Sequence, residues 1–176
     1  MINLLYVDDE PALLEVCRLF LEREGEFAVI TAASAREGSD ILSRQSFDAI
    51  ISDYQMPGTN GIDFLRQIRS QSHDTPFILF TGKGREEVVI EAINSGADSY
   101  IQKGGDPHAQ FTELALKIRQ LVRRKKAEDE LRLLKFSVDH ASEVSSGSVR
   151  MGALRTIMTR SAQCWDIPAR SLPPCR

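Results

Sequence analysis

The chain has 176 residues, of which 42% are hydrophobic and 27% charged, and a formal net charge of −3. That length suits one ordinary domain with an appendage. The slightly acidic balance gives no reason to expect non-specific nucleic-acid binding, and no run of about 18 apolar residues is present to span a membrane.

The opening MINLLYVDDE lacks the basic start and long apolar run of a signal peptide, and its apolar residues suit a buried strand over Ile2–Val7. Pro11 fits the first turn of a helix over Pro11–Glu24. In that helix Leu13, Val16, Cys17, Phe20 and Leu21 are expected on the buried face. A strand over Phe27–Thr31 follows. A helix over Ser34–Gln45 comes next, with Ser34 as its cap and Glu37 completing a capping box. The apolar run Ala49–Ser52 reads as a third strand, with a helix over Ile62–Gln71 behind it. Strand Pro76–Phe80, helix Arg85–Asn94, strand Ser99–Ile101 and helix Pro107–Val122 complete the series. Gly25, Gly96 and the Ser72–Pro76 stretch supply stops. Cys17, Cys164 and Cys175 have neither metal-ligand spacing nor an even disulfide framework. They suit a reducing compartment, so a cytoplasmic location is expected.

Five strand–helix alternations predict an α/β fold with a parallel sheet covered on both faces. The unbroken apolar strands agree, because parallel strands are buried on both sides. In such folds ligands bind beyond the carboxyl ends of the strands. Those ends bring together Asp8-Asp9-Glu10, then Asp53, then Thr81-Gly82, then Gln102-Lys103-Gly104. Carboxylates gathered on one rim repel one another, and a hard divalent cation relieves that. Mg²⁺ takes one or two carboxylates with water and phosphate oxygen. A carboxylate can also attack phosphorus, giving an aspartyl phosphate, while a metal, a lysine and a hydroxyl supply the charge neutralisation that phosphoryl transfer needs. Asp53 also suits the start of a turn, and Asp8-Asp9 suit the positive end of the first helix.

The segments LLYVDDEP, DYQMPGTNG, FTGKG and GADSYIQK carry Asp8-Asp9, Asp53, Thr81 and Lys103 in register over residues 1–124. Together they resemble the receiver domain of two-component response regulators, of the chemotaxis-regulator kind. The resemblance implies a flavodoxin-like, doubly wound sheet of five parallel strands in the order 2-1-3-4-5, with five flanking helices and the last one extended. It implies that Asp53 accepts a phosphoryl group from a phosphohistidine on a sensor histidine kinase or phosphotransfer protein. Asp8, Asp9, Asp53 and the Gln55 carbonyl would hold Mg²⁺, Lys103 would pair with the carboxylate and then the phosphoryl group, and Thr81 and Tyr100 would act as the switch pair. The result would be a signalling phosphoacceptor rather than a turnover enzyme, with a downstream protein target and a homodimer through the last helices as expected partners.

One departure stands out. The family lysine usually precedes a proline in a cis bond, whereas Lys103 precedes Gly104-Gly105. Gln55 and Lys83 stand at variable positions beside the site and are expected to tune hydrolysis of the phosphoryl group. Two rival readings share the residues. A haloacid-dehalogenase-like phosphatase also uses a strand-end Asp, but after its first strand in an Asp-x-Asp arrangement. A degenerate receiver used only for protein interaction would lack one of the acidic pair, the acceptor or the lysine, and all are present.

Beyond the receiver, the basic block Arg123-Arg124-Lys125-Lys126 reads as a solvated face rather than a DNA contact. Ala127, Leu131, Leu134 and Val138 then resume helical apolar spacing, out of step with Leu114, Ile118, Leu121 and Val122 as across a stutter. Residues 125–140 are expected to form a helical linker. The sequence FSVDHASE resembles the opening of a PAS sensory domain, as at the front of a longer receiver–PAS protein. Residues 141–176 lose periodicity and are expected to be a disordered tail or a truncated module. His73, His108 and His140 are expected at the surface.

Overall fold

The structure is a computed structural model that describes residues 1–23, 25–71, 73–82 and 86–144, with side chains described to residue 135. Its elements run β1 (Ile2–Val7), α1 (Pro11–Glu22), β2 (Phe27–Ala32), α2 (Ala35–Leu42), β3 (Ala49–Ser52), α3 (Gly61–Ser70), β4 (Phe77–Thr81), α4 (Glu86–Asn94), β5 (Ser99–Gln102) and α5 (Pro107–Val144). All pairings are parallel, and the strand order is β2-β1-β3-β4-β5. This is the flavodoxin-like doubly wound sheet that the alternation and the resemblance imply.

Strand alternation sorts the core into two layers. Leu4, Tyr6, Ala49, Ile51, Ile78 and Phe80 face α1 and α5, where Leu14, Cys17, Leu21, Phe111, Leu114, Ile118 and Val122 meet them. Leu5, Val7, Ile50, Phe77 and Leu79 face the other way, against Ala35, Phe64, Leu65, Ile68, Val88 and Ala92 of α2, α3 and α4. Each large side chain so buried contributes about 1.5–3 kcal/mol. The central strands β3 and β4 are buried along their whole length.

Several local expectations shift. The buried face of α1 is Leu14, Cys17 and Leu21, while Val16 is 49% exposed. Apolar residues crowd this helix, so two stripes about one residue apart satisfy the same period, and packing against β1 selects one. Cys17 is core filler with a free thiol. Ser34 caps α2 by accepting the Glu37 N–H, but the Glu37 carboxylate returns to the Ala33 N–H at 2.7 Å rather than to that of Ser34. β2 reaches Ala32 and β4 reaches Thr81, so Thr81 is the last residue of a strand rather than the first beyond it. The described peptide bonds are all trans, that of Lys103–Gly104 included. Gly105, at φ 84°, makes the turn there without a side-chain clash.

The last helix is one continuous element to Val144. The chain divides into two units, Met1–Glu130 and Leu131–Arg176. Within the first, the basic block is ion-paired to the sheet's amino-terminal edge: Arg124 to Asp98 at 2.8 Å, Lys126 to Asp48 at 3.3 Å and Lys125 to Asp74 at 3.6 Å. Asp98 in turn accepts from Arg69 and from the Phe77 N–H. In the second unit, Leu131, Leu133 and Leu134 are exposed. Residues 145–176, the greater part of the expected tail, lie outside the described residues. Among the described residues, no helix is long and apolar enough to cross a membrane.

Candidate functional site

The sheet reverses its strand order between β1 and β3, and the loops beyond these two strands open a crevice there. β1 delivers Asp8 and Asp9 to it. The register that pairs Val7 with Ser52 sets Asp53 beside them, and the Asp53 N–H donates to the Val7 carbonyl at 2.8 Å. β4 brings Thr81, and β5 brings Lys103, whose N–H donates to the Thr81 carbonyl at 2.7 Å. An open cleft of about 780 Å³ lies over this rim, and Asp9, Asp53, Gln55, Thr81 and Lys103 all line it.

Asp53 is buried at the cleft floor. One carboxylate oxygen, Oδ2, accepts the Gln55 N–H at 2.7 Å, and the other, Oδ1, pairs with the Lys103 ammonium at 2.9 Å. The turn behind it is held by two devices. Asn60 caps α3 by accepting the Ile62 and Asp63 N–H groups at 2.9 Å each, and the Gly61 N–H donates to the Tyr54 carbonyl at 2.9 Å. A side chain at residue 61 would press into the Asp53 carbonyl oxygen and come within 2.9 Å of Leu79 Cδ1. Only glycine lets α3 start this close to the strand tip.

Asp8 does not line the cleft. It is fully buried beneath it, where its Oδ2 accepts both the Lys103 ammonium at 2.7 Å and the Tyr6 hydroxyl at 2.6 Å, and its Oδ1 accepts the Glu10 N–H at 3.0 Å. The Glu10 N–H belongs to the residue just before α1, and that helix start carries no side-chain cap, so Asp8 does not take the capping role that its position before Pro11 suggests. Lys103 bridges the two buried carboxylates, with its ammonium 5.5 Å from the centre of the Phe80 ring. Burial pulls its pKa down, but hydrogen bonds and charge from Asp8 and Asp53 outweigh that and raise it, so it stays an ammonium. Burial first, and then the charge of Asp8, push the Tyr6 phenol far up, so it remains a donor.

Tyr100 lies outside the cleft. It is half-buried on β5, packed against the layer that α4 covers, and burial raises its phenol pKa. Lys83 lies outside the described residues. His108 is exposed, with its ring edge-on to Phe20 at 5.3 Å. The residue that the sequence reading passes over is Tyr6. Its signal was present: residues 6 and 8 share one face of β1, so a hydroxyl two residues before a buried carboxylate can reach it.

Asp9 and Asp53 bring two carboxylates to one open cleft, and Gln55, whose peptide carbonyl is a further oxygen donor, also lines it. This all-oxygen donor set fits Mg²⁺, which leaves its other positions to water and phosphate oxygen. Among the described residues, no three histidine, cysteine or acidic side chains are grouped to hold a metal unaided.

The family model for the response regulator receiver domain matches residues 4–115. The response regulator SaeR of Staphylococcus aureus is 34% identical over 149 residues, 85% of this chain and 63% of its own length. The chain thus spans less than two thirds of that relative. A response regulator receiver domain protein from Clostridium thermocellum is 31% identical, with a TM-score of 0.64 over 72% of this chain and 98% of its own. A chemotaxis response regulator of Vibrio cholerae is also 31% identical, with a TM-score of 0.60 over 69% and 98% of the two chains.

Proposed function

The chain belongs to the response regulator receiver domain family, and from that premise we propose that Asp53 is the phosphoacceptor of a two-component phosphorelay, with Mg²⁺ as its cofactor. The observation that carries this reading is the ammonium of Lys103, held 2.9 Å from Asp53 Oδ1 at the floor of an open, acid-lined cleft. An Asp53 carboxylate oxygen attacks the phosphorus of a phosphohistidine on a kinase or phosphotransfer protein. The P–N bond breaks, and the leaving imidazole keeps the electron pair and takes up a proton. Beyond that nucleophile, transfer of this kind needs positioning and charge neutralisation.

Each residue has a part in that. Gln55 N–H and Lys103 fix the carboxylate, and Lys103 then follows the phosphoryl oxygens. Asp9, Asp53 and the Gln55 carbonyl would hold Mg²⁺, with Asp8 supporting them from beneath. The ion supplies charge neutralisation between the carboxylates and the incoming phosphoryl group. Thr81 supplies a hydroxyl to the phosphoryl group, and Tyr100 turns inward behind it. The face of α4, β5 and α5, where Ile90, Ile93 and Leu116 are exposed, then changes its affinity for a downstream protein. The protein is a signalling phosphoacceptor of the cytoplasm, acting only on its own phosphoryl group. The exposed Leu131 and Leu134 of the last helix favour a second copy as a further partner.

Amide spectra test this switch. Mg²⁺ alone is expected to shift the signals of Asp9, Asp53, Gln55 and Lys103 saturably. Adding fluoroberyllate, a phosphoryl mimic, is expected to spread the shifts to Thr81, Tyr100 and α4. Fluoroberyllate shifts confined to the cleft would contradict the switch, and an absence of any shift would contradict the phosphoacceptor itself.

A further inference from the structure

The buried carboxylate of Asp8 has two donors on one oxygen, and they differ in kind. Lys103 has a long, unbranched side chain that also serves Asp53, with its ammonium 2.7 Å from Asp8 and 2.9 Å from Asp53. Tyr6 serves Asp8 in the described contacts and cannot follow a ligand. It is fully buried on β1 with its ring packed against Phe80, centroids 6.4 Å apart, and its hydroxyl 2.6 Å from Asp8 Oδ2.

We propose that Tyr6 is a positioning residue for phosphoryl capture, holding Asp8 Oδ2 so that Lys103 is free to leave it for a phosphoryl oxygen. The inference rests on the reading that Lys103 serves the phosphoryl group bound at Asp53. When the ammonium moves toward an anion above Asp53, Asp8 stays behind at the bottom of the site with no exposure to water. A buried carboxylate oxygen without a donor is costly. With the hydroxyl in place, Oδ2 keeps one strong, charge-assisted hydrogen bond throughout. Without it, Asp8 holds Lys103 back, and every ligand that needs the lysine binds more weakly. An aliphatic side chain at residue 6 could fill the core but could not perform that task.

The test is a double-mutant cycle on fluoroberyllate affinity at saturating Mg²⁺, read by titration calorimetry on the full chain. Tyr6→Phe removes only the hydroxyl. It is expected to weaken fluoroberyllate binding about tenfold, the loss of one hydrogen bond to a charged group. In a Lys103→Met background the same substitution is expected to change affinity less than about twofold, because no lysine is drawn off Asp8 in either state. A filler role would give equal effects in both backgrounds and would overturn the inference, as would an unchanged affinity in Tyr6→Phe. If Tyr6→Phe proves too unstable to titrate, the wild-type hydroxyl proton of Tyr6 answers instead. Its resonance is expected to move downfield when fluoroberyllate binds, and a stationary resonance would overturn the proposal. Failure of the wild type to bind fluoroberyllate at all is a separate result, and it would remove the phosphoacceptor reading on which the inference stands.

Discussion

Lys103→Met is expected to slow phosphorylation from a small acyl phosphate donor by about 100-fold, the scale of losing one preorganised donor to a transition-state oxyanion. The substitution leaves Asp8 and Asp53 buried with their shared cation gone. Removing one partner of such a buried group typically costs about 3–5 kcal/mol, although Met returns some apolar packing against Phe80. The two consequences separate in one respect. With the ammonium absent, Mg²⁺ meets less competition at the carboxylates, so the variant is expected to bind the ion more tightly than wild type and to be stabilised more by it. Calorimetric titration with Mg²⁺, set beside the phosphorylation rate, checks this. A slower rate with weaker Mg²⁺ binding would mean that the site had collapsed rather than lost a donor.

Gly61→Ala carries the second large effect, and it acts through the backbone. The added methyl would press on the Asp53 carbonyl oxygen and lie 3.0 Å from the Asp53 carbonyl carbon. Neither atom belongs to a side chain that can rotate away. Either α3 retreats, breaking the Gly61 N–H to Tyr54 hydrogen bond, or the tip of β3 moves with its carboxylate. The expected cost is about 2 kcal/mol of stability, within the range for forced overpacking. A displacement of about 1 Å at the acceptor is expected to reduce phosphorylation about 100-fold. Chemical denaturation and the acyl phosphate rate check the two halves. Wild-type behaviour in both would mean that the helix start yields without disturbing Asp53.

The chain's layout was legible because its signals are local. The run from Ala49 to Ser52 ending in Asp53, the acidic pair after Val7, and Lys103 after the last strand each announce a strand end, and alternation places all the strand ends on one rim. What stayed hidden depends on contacts between distant segments. The sequence of the pair Asp8-Asp9 does not say which acid faces the ligand, and the pleat buries Asp8 under the cleft and leaves Asp9 on its wall. The phase of α1 was ambiguous because PALLEVCRLFLE offers apolar residues to two faces. The basic block after Val122 looked solvated, and its pairing with Asp48, Asp74 and Asp98 follows from where a long helix passes the sheet edge, which no window of sequence contains. Tyr6 was missed for a different reason. In an apolar strand a tyrosine reads as core, and half of that reading holds, since its ring is core and its hydroxyl belongs to the site.

If Asp53 is the phosphoacceptor, it takes up one phosphoryl group with the help of Mg²⁺. The most direct measurement is intact mass after incubation with a small acyl phosphate donor, with and without Mg²⁺, on the wild-type chain and on Asp53→Asn. One added phosphoryl group is expected on the wild type, dependent on Mg²⁺ and absent from the variant. No adduct on the wild type, or the same adduct on Asp53→Asn, would contradict it.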